Sequence, residues 1–405
     1  MKVVEINYTD IKGHSFNGFD LLSFLKKAGI QAKQVVLEKE STLDDVIQVK
    51  KDMIAHTQIF DLEKMYGVDG TLFPYGNELF QMPVYQEADI VHFHILNNSF
   101  ISLFDYPKLM NGKKSVWTLH DPWMITGNCL YPLKCEKWER GCVDCEFEGD
   151  FSYGKSKINM DFMWEIKKQI LGLINPDIVV SCGFMERYIK KSPITSHFDK
   201  IHRIPFGIDT EKYNISEKAI KKRKFGLDSD KLTIGFRAED SMLKGSVYIY
   251  NALERLGIGE KVEILTVSTG KIPEKIKNRY HVIELGWVQE EQSMIDFYEA
   301  CDIFIMPSLA ETFGLMAIES MAAGCAIICF DQTVLPEITN APECGMQVEY
   351  RSEKKLAEAI AYLVENVVEL RSRGRKGRAL VEKKYTIDAY VSSHIKLYEE
   401  LCECK

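Results

Sequence analysis

The stretch that decides the fold is residues 303–329, with the sequence IFIMPSLAETFGLMAIESMAAGCAIIC. Residues 303–306 form a short apolar run typical of a buried strand, and Gly314 opens a helical pattern that ends before Gly324. A second apolar run follows at residues 326–329. The order strand, loop, helix, strand predicts a βαβ unit, in which a helix joins two parallel strands.

Short β-rich runs alternate with amphipathic stretches along the rest of the chain. The runs predicted for a first sheet are residues 3–6, 34–37, 90–94, 115–119 and 178–181. Those predicted for a second sheet are residues 232–236, 262–266, 282–285, 303–306 and 326–329. This alternation predicts an α/β protein with two doubly wound domains. A chain of 405 residues agrees with it, since a domain holds roughly 150 residues.

The boundary between the domains is expected at Ile204-Pro205-Phe206-Gly207-Ile208-Asp209, where Pro and Gly interrupt an apolar tract. The N-terminal domain would comprise residues 1–205, and the C-terminal domain residues 206–385. Residues 386–405 carry apolar side chains at mostly helical spacing. They predict a terminal helix that covers an apolar surface.

The composition is that of an ordinary globular protein, with 46% hydrophobic and 27% charged residues. Asp and Glu number 59 against 51 Lys and Arg, and the net charge of −8 argues against nucleic acid as the main partner. Residues 217–225 nevertheless hold five basic side chains. This run is either a phosphate- or membrane-binding patch or, more commonly for such runs, the solvated face of a helix.

The expected location is the cytoplasm. Glu5, Asn7 and Asp10 interrupt the first apolar run, which therefore lacks the apolar stretch of a signal peptide. No apolar segment of the sequence approaches the roughly 18 residues needed to span a bilayer. Eleven cysteines, an odd number, indicate reduced thiols in a reducing compartment and not a disulfide framework.

Two common nucleotide-binding motifs are absent from the sequence. Gly13 and Gly18 have the spacing of a P-loop, but Phe19-Asp20 stands where Lys and Ser or Thr are needed, which excludes a Walker-type NTPase. Gly257-Ile258-Gly259 lacks a third glycine and precedes a strand, which argues against a nicotinamide-dependent dehydrogenase. The turn at residues 13–18 is either an anion-binding turn at a helix start or an ordinary βα turn.

Four charged residues at strand ends of the second sheet form the strongest candidate site. Glu311 lies in the loop of the opening stretch and Glu319 about one turn into its helix, so both carboxylates can accept hydrogen bonds from the hydroxyl groups of one ligand. Arg237 and Lys244 flank the loop after the first strand of this sheet, and two cations there suit a diphosphate. Glu319 could instead only complement the helix dipole, and Arg237 and Lys244 could be two solvated charges in a βα loop.

Four cysteines, Cys129, Cys135, Cys142 and Cys145, lie within seventeen residues. In a reducing compartment, structural zinc explains such a cluster better than disulfides do. Tetrahedral thiolates would then hold the loop of residues 128–147. The alternative is a set of buried or free thiols without metal.

The motifs combine in a recognisable way. They are Glu311 to Glu319 with Phe313-Gly314, Arg237 followed by Lys244-Gly245, the stretch 205–209, the terminal helix after Tyr385, and Trp117-Thr118-Leu119-His120-Asp121-Pro122-Trp123 with Thr126-Gly127. Together they resemble the retaining glycosyltransferases of family 4, and the last segment is similar to a subgroup active in bacterial surface polysaccharide synthesis. The resemblance implies the GT-B fold. In that fold two Rossmann-like domains, an acceptor domain and then a nucleotide-sugar domain, face a central cleft, and the last helix crosses back to the first domain.

The resemblance assigns roles to the candidate site. Arg237 and Lys244 would neutralise the donor diphosphate and the charge that grows on it as the glycosidic bond breaks. Glu311 would orient the donor sugar, and Glu319 would bind the ribose hydroxyls of the nucleoside. The backbone N–H groups that would assist Glu311 belong to Phe313, Gly314 and Leu315.

Three further positions follow from the resemblance. His120 matches the histidine of these enzymes at the interdomain cleft near the donor sugar, or else it is an ordinary strand-end histidine. The paired glycines of the first βα turn appear here as Asn17-Gly18, which leaves a phosphate contact of Gly18 open. The loop around Trp287 and Val288 would contact the nucleotide base.

The activity implied is transfer of a sugar from a UDP- or GDP-sugar to a saccharide or lipid-linked acceptor, with peripheral membrane association as an option. Configuration would be retained, and Arg237 and Lys244 would replace a catalytic metal. The alternatives are a GT-B sugar-nucleotide epimerase and a non-catalytic sugar-nucleotide-binding partner of another transferase. A phosphorylase-like enzyme is remote, because it would require pyridoxal phosphate and a much longer chain.

Overall fold

A computed structural model describes residues 1–10, 16–97, 99–145 and 157–403. Contacts between residues divide the chain into two compact units. The first comprises Met1–Pro205 together with Tyr390–Lys405, and the second comprises Phe206–Ala389. Each unit is built on one parallel sheet.

The first unit holds a sheet of seven strands. They are β1 (Lys2–Thr9), β2 (Gln31–Glu38), β3 (Val46–Gln48), β4 (Ile90–Phe93), β5 (Lys114–Leu119), β6 (Asp177–Val180) and β7 (Ile201–Arg203). Their order across the sheet is β3-β2-β1-β4-β5-β6-β7. The chain therefore builds outward from β1 in one direction and from β4 in the other, so the winding reverses between these two strands.

Helices connect the strands of this unit. They are α1 (Phe19–Lys27), α2 (Met53–Tyr66), α3 (Tyr75–Gln81), α4 (Pro83–Gln86), α5 (Tyr106–Met110), α6 (Met160–Leu171) and α7 (Gly183–Lys191). The first of them shows why the sequence forms a helix here: Leu21, Leu22 and Leu25 recur at helical spacing and are buried together.

The second unit holds a sheet of six strands. They are β8 (Leu232–Arg237), β9 (Val262–Val267), β10 (Val282–Glu284), β11 (Ile303–Met306), β12 (Ala326–Phe330) and β13 (Met346–Val348). Their order is β10-β9-β8-β11-β12-β13, so the winding reverses between β8 and β11. The apolar run of β11 is buried along its whole length, as expected for a parallel strand covered on both faces.

The helices of the second unit lie between and after these strands. They are α8 (Lys218–Lys224), α9 (Ser246–Glu254), α10 (Glu274–Lys277), α11 (Glu291–Ala300), α12 (Leu315–Ala322), α13 (Leu335–Ile338), α14 (Glu353–Glu365) and α15 (Val367–Lys384).

A final helix, α16 (Ile387–Glu403), ends the described chain. From Tyr390 onward it belongs to the first unit, where Tyr390, Leu397 and Tyr398 are at most 4% exposed. Burying each such side chain is worth roughly 1.5–3 kcal/mol. The predicted terminal helix that returns to the first part of the chain is confirmed.

The ten strands predicted from apolar runs are confirmed, and both sheets have the doubly wound order. Sequence analysis missed β3, β7 and β13, which are three residues long and only partly buried. None of the helices in the described ranges combines the length and the hydropathy that crossing a bilayer requires.

The basic run at residues 217–225 forms α8, and its lysines are paired with acidic side chains. Lys221 Nζ lies 2.6 Å from Asp296 Oδ1, and Lys222 Nζ lies 2.6 Å from Asp302 Oδ2. Lys222 is only 3% exposed. Neither a membrane-binding patch nor a solvated face describes these two lysines, because their charges are used inside the second unit.

Candidate active site

The predicted charged residues of the second unit lie at the point where its sheet reverses. In doubly wound folds, ligands bind outside the carboxyl ends of the strands at such a reversal. Arg237 is the last residue of β8, and Pro307 directly follows β11. The loops after these two neighbouring strands therefore carry the candidate residues to one edge of the sheet.

These two loops are in direct contact. The Leu309 N–H donates to the Leu243 carbonyl at 2.8 Å. Gly245 has a φ of +73°, and a Cβ atom there would lie 2.1 Å from the carbonyl oxygen of Pro307. Only glycine permits this approach, so Gly245 is what lets the loops close on each other.

Lys244 and Glu311 form an ion pair across this contact. Lys244 Nζ lies 2.8 Å from Glu311 Oε1, and the two side chains are 26% and 12% exposed. The structure thus brings together the cation predicted for a diphosphate and the carboxylate predicted for a sugar. A donor and an acceptor side by side suit a ligand that carries a phosphate next to hydroxyl groups.

Arg237 has a partner that the sequence did not reveal. Its Nε lies 2.5 Å from Glu239 Oε2, and both side chains are about one-third exposed or less. Glu239 stands two residues after β8, in the loop that leads to Lys244. Both candidate cations are therefore paired with carboxylates, and a diphosphate ligand would compete with Glu239 and Glu311 for them.

The start of α12 supplies backbone donors at the same edge of the sheet. Gly314 has a φ of +97° and precedes Leu315, the first residue of the helix. The first N–H groups of a helix have no acceptor within it and can face an anion. The Phe313 ring is buried and packs on the rings of Phe206 and Tyr385, at centroid distances of 5.1 and 5.7 Å. Phe313 can therefore serve a ligand only through its main chain.

Glu319 lies in the second turn of α12 and is oriented by a buried tyrosine. The Tyr298 hydroxyl donates to Glu319 Oε2 at 2.7 Å. Burial, together with the charge of Glu319, raises the pKa of Tyr298 well above its usual range. Tyr298 therefore keeps its proton and fixes one carboxylate oxygen, and sequence analysis did not find it.

Val288 is separated from the β8 and β11 loops by one strand of the sheet. It is half-buried in the loop after β10, and β9 lies between β10 and β8. Its neighbour Trp287 is 63% exposed. The predicted base contact of this loop stays a prediction.

In the first unit, Gly18 follows β1 and directly precedes α1. Its φ is +90°, and a Cβ atom there would lie 2.7 Å from Glu5 Cβ and 2.8 Å from His94 Nε2. This glycine is therefore required by the side chains beneath it. Residues 13–15 of the predicted turn lie outside the described residues.

His120 directly follows β5 and lines a small pocket with Asn97 and Trp123. Its Nε2 lies 3.4 Å from Nδ1 of His94. Burial, with the neighbouring His94 and His92, lowers the pKa of His120 well below its usual range. The ring is therefore neutral at physiological pH.

The four clustered cysteines are described, but they are not gathered around one point. Cys129 and Cys142 are buried, and Cys135 and Cys145 are half-buried. Within the described ranges, no three of their sulfur atoms lie within 4.8 Å of one another. Residues 146–147, the end of the predicted loop, lie outside those ranges. Zinc binding stays a prediction.

Comparisons with known proteins agree with the sequence motifs. Residues 232–366 match the family described as glycosyl transferases group 1, and this match contains Arg237, Lys244, Glu311 and Glu319. The MMP alpha-(1->4)-mannosyltransferase of Mycolicibacterium hassiacum is 24% identical over 211 residues, which are 50% of this chain and 49% of that protein. This chain therefore spans about half the length of that relative.

Two longer matches extend the comparison. The colanic acid biosynthesis glycosyl transferase WcaC of Escherichia coli is 22% identical over 310 residues, which are 71% of this chain and 73% of that protein. The structure of Anabaena Alr3699/HepE in complex with UDP has a TM-score of 0.67 at 12% identity and covers 99% of this chain and 100% of its own. This likeness confirms the predicted GT-B fold. Residues 232–366 therefore match the group 1 glycosyl transferases that the motifs resemble, and the whole chain has the GT-B fold.

Proposed function

We propose that this chain is a retaining glycosyltransferase that moves a sugar from a nucleotide-sugar donor to a saccharide or lipid-linked acceptor. The Lys244–Glu311 pair at the β8–β11 reversal carries the proposal. It sets a cation suited to the donor phosphate beside a carboxylate suited to sugar hydroxyls, on two loops joined by a backbone hydrogen bond.

Arg237 and Lys244 bind the donor diphosphate in this proposal. Without a donor they are paired with Glu239 and Glu311, at 2.5 and 2.8 Å. A diphosphate offers stronger charge-assisted acceptors to both cations. Once Lys244 turns to the phosphate, Glu311 is left to accept hydrogen bonds from the donor sugar.

The chemical step proposed is a front-face substitution. The bond between the anomeric carbon and the diphosphate oxygen breaks, and its electron pair stays on the diphosphate. The acceptor hydroxyl oxygen bonds to the anomeric carbon on the same face, and its proton passes to the departing phosphate oxygen. Arg237 and Lys244 stabilise the negative charge that grows on the phosphate, which is the task of a metal ion in other transferases.

The remaining residues complete the donor site. Glu319, oriented by Tyr298, binds the ribose hydroxyls, while the N–H groups at the start of α12 support the diphosphate or the sugar. The loop of Val288 contacts the base. The role that the resemblance assigns to His120 stays a prediction.

The comparisons narrow the class of donor and acceptor. The structural relative HepE is a complex with UDP, which favours a UDP-sugar over a GDP-sugar. The relative WcaC is named for colanic acid biosynthesis, which favours a role in polysaccharide synthesis. We further propose that Cys129, Cys135, Cys142 and Cys145 bind structural zinc.

The test begins with donor binding. A ligand that binds only the folded state raises thermal stability, so UDP-, GDP- and dTDP-sugars are compared by thermal shift. Release of nucleoside diphosphate from the best donor is then measured with and without saccharide and lipid-linked acceptors. Release that depends on an acceptor supports a transferase. Conversion of the donor without an acceptor would indicate an epimerase, and binding without any turnover would indicate a non-catalytic partner protein.

A further inference from the structure

The loop after β8 carries a carboxylate, Glu239, whose contact with Arg237 is an ion pair without a hydrogen bond. Arg237 Nε and Glu239 Oε2 lie 2.5 Å apart. Both atoms are shielded from solvent, yet within the described ranges neither has a hydrogen-bond partner. Shielded polar atoms without such a partner are rare in folded proteins. The two charges therefore neutralise each other, while the N–H group of Nε still lacks an acceptor.

The neighbouring pair of Lys244 and Glu311 is different. The Lys244 ammonium donates a hydrogen bond to Glu311 Oε1 at 2.8 Å. An ammonium group has three N–H donors, so Lys244 can keep this bond and still donate to a nucleoside diphosphate that carries no sugar. Glu311 therefore need not compete with such a ligand. Glu239 competes with it, because it meets Arg237 only through its charge.

The backbone of Glu239 is held in place on two sides. Its N–H donates to Ser246 Oγ at 3.0 Å, and the same hydroxyl donates to the Arg237 carbonyl at 3.1 Å. On the β9 side, the Gly270 N–H donates to the Ala238 carbonyl at 2.9 Å. A Cβ atom on Gly270 would lie 2.6 Å from the N and Cα atoms of Glu239, so the β9 loop packs directly on this backbone. The loop cannot withdraw Glu239, and its carboxylate stays in the donor site.

We propose that Glu239 is the counterion of Arg237 in the protein without donor, and that it weakens the binding of a diphosphate to Arg237. A diphosphate must take the place of Glu239, and the displaced carboxylate remains close to the ligand and repels it. After transfer, Arg237 returns to Glu239 as the nucleoside diphosphate leaves. Glu239 acts through Arg237, so it is a positioning residue that favours product release. This inference rests on the proposed function.

An orienting role for Glu239 fits the contact less well. A carboxylate that holds a guanidinium in one orientation does so through directed and often bidentate hydrogen bonds. Neither Arg237 Nε nor Glu239 Oε2 takes part in such a bond. The two roles also predict opposite results. An orienting carboxylate strengthens ligand binding, whereas a competing counterion weakens it.

The direct test is calorimetry of Glu239→Gln with two probes, UDP and inorganic pyrophosphate. The carboxamide has nearly the size of the carboxylate but no charge, so Arg237 is left to the ligand. Both probes should bind about 10- to 100-fold more tightly than they bind the wild type, because a like charge close to the ligand is removed. Unchanged or weaker binding in Glu239→Gln would overturn the proposal. If this variant fails to fold, Glu239→Ala supplies the same measurement.

The second readout is product inhibition of sugar transfer. In Glu239→Gln the inhibition constant of UDP, measured against the donor, should fall by the same factor as the Kd of UDP. A merely structural role of Glu239 would not make an inhibitor bind more tightly. An inhibition constant that stays at the wild-type value would therefore refute the counterion role.

The matched control is Glu369→Gln on α15, which makes the same change in net charge. Glu369 Oε1 lies 2.8 Å from Arg373 Nε, and in the part of the chain that the structure describes this Nε is also shielded without a hydrogen-bond partner. Arg373 donates to the carbonyls of Pro342 and Gly345, just before β13 and so at the amino end of that strand. The Kd of both probes should stay within about twofold of the wild type. A gain in affinity equal to that of Glu239→Gln would indicate a general charge effect and overturn the proposal.

The outcomes separate this inference from the proposed function, since binding of pyrophosphate needs neither a nucleoside nor turnover. Tighter pyrophosphate binding in Glu239→Gln, with a wild-type protein that transfers no sugar, would support the counterion role and refute the transferase. A wild-type protein that transfers sugar, with a Glu239→Gln variant that binds UDP no more tightly, would refute the counterion role and leave the transferase standing.

Discussion

Lys244→Ala is the substitution that bears most directly on the proposed donor site. Lys244 lies beside Glu311, the residue predicted to bind the donor sugar, with Nζ 2.8 Å from Glu311 Oε1. A unit charge about 4 Å from a phosphate charge contributes roughly 4 kcal/mol at an effective dielectric constant of 20. Only the part of this interaction that strengthens in the transition state raises kcat. Loss of one such stabilising group typically lowers the rate by about 10²–10³-fold.

The same change also affects Glu311. Without Lys244, the Glu311 carboxylate stands unpaired beside the diphosphate and repels it, which adds to the loss. Removal of Glu311 as well relieves the repulsion, so the Lys244→Ala/Glu311→Ala double variant should bind nucleoside diphosphate more tightly than Lys244→Ala alone. Folding should survive, because a partly exposed ion pair contributes only about 1 kcal/mol or less.

The assay is release of nucleoside diphosphate at saturating donor and acceptor. Lys244→Ala should turn over at least about 10² more slowly than the wild type, and Arg237→Ala should behave likewise. Lys261→Ala is the control, because Lys261 directly precedes β9, at the amino end of that strand, and forms an exposed ion pair with Glu365 at 2.6 Å. Wild-type turnover in either Lys244→Ala or Arg237→Ala would refute the assignment of these cations to the diphosphate.

Four further predictions concern the second unit and the cysteine loop. Glu311→Ala should lose sugar transfer, and calorimetry should show that it still binds nucleoside diphosphate nearly as well as the wild type. In Glu319→Ala the binding of nucleoside diphosphate should be weaker by about 1.5–3 kcal/mol. An equal loss of nucleotide affinity in both variants would contradict their separate roles. Transferase activity should survive EDTA, and a strict requirement for magnesium would contradict this expectation. Elemental analysis should find about one zinc per chain, and Cys142→Ser should release it; a zinc-free wild-type protein would contradict the proposed zinc site. Burial would raise the pKa of Asp296, but its hydrogen bonds with Lys221 and Lys224 lower that pKa to about 2. The ionised Asp296 therefore contributes about 2 kcal/mol to the free energy of unfolding above pH 4, and this contribution is lost as the pH falls from about 4 to about 2. Urea unfolding of Asp296→Asn should therefore differ from the wild type at pH 7 and converge with it near pH 2.

The fold could be predicted largely from local patterns. The five apolar runs of each half become strands, and the alternation with helices is enough to predict two doubly wound sheets. The short strands β3, β7 and β13 could not be predicted, because three partly exposed residues have no distinct apolar pattern. Each lies at or beside the edge of its sheet, where burial is weakest.

The residues of the candidate site could be named from the sequence, but their partners could not. Lys244 and Glu311 are 67 positions apart, and only the contact between two loops makes them a pair. Glu239 is close to Arg237 in sequence, yet its role depends on how that loop folds. The lysines of α8 show the same limit, since their partners lie on α11 and beside β11.

The buried cluster of Glu5, His92 and His94 in the first unit was missed for a different reason, because its signal was present in the sequence. Glu5 interrupts an apolar run, and His92, in the buried strand β4, and His94, directly after that strand, alternate with apolar residues. An ionisable side chain in such a strand is costly unless it is paired, so each of these residues required a partner. As a polar break in a buried apolar run, Glu5 indicates a buried polar network.

That network also bears on the Asn17-Gly18 departure from the paired glycines of the family. The Asn17 side chain accepts from the Phe19 N–H at 3.2 Å and so occupies a donor at the start of α1. Its amide donates to the Thr9 carbonyl at 3.1 Å, which ties the turn to the end of β1. Gly18 in turn has no space for a side chain above Glu5. An anion at this turn would have to displace Asn17, so Gly18 is explained better by the cluster beneath it than by a phosphate contact.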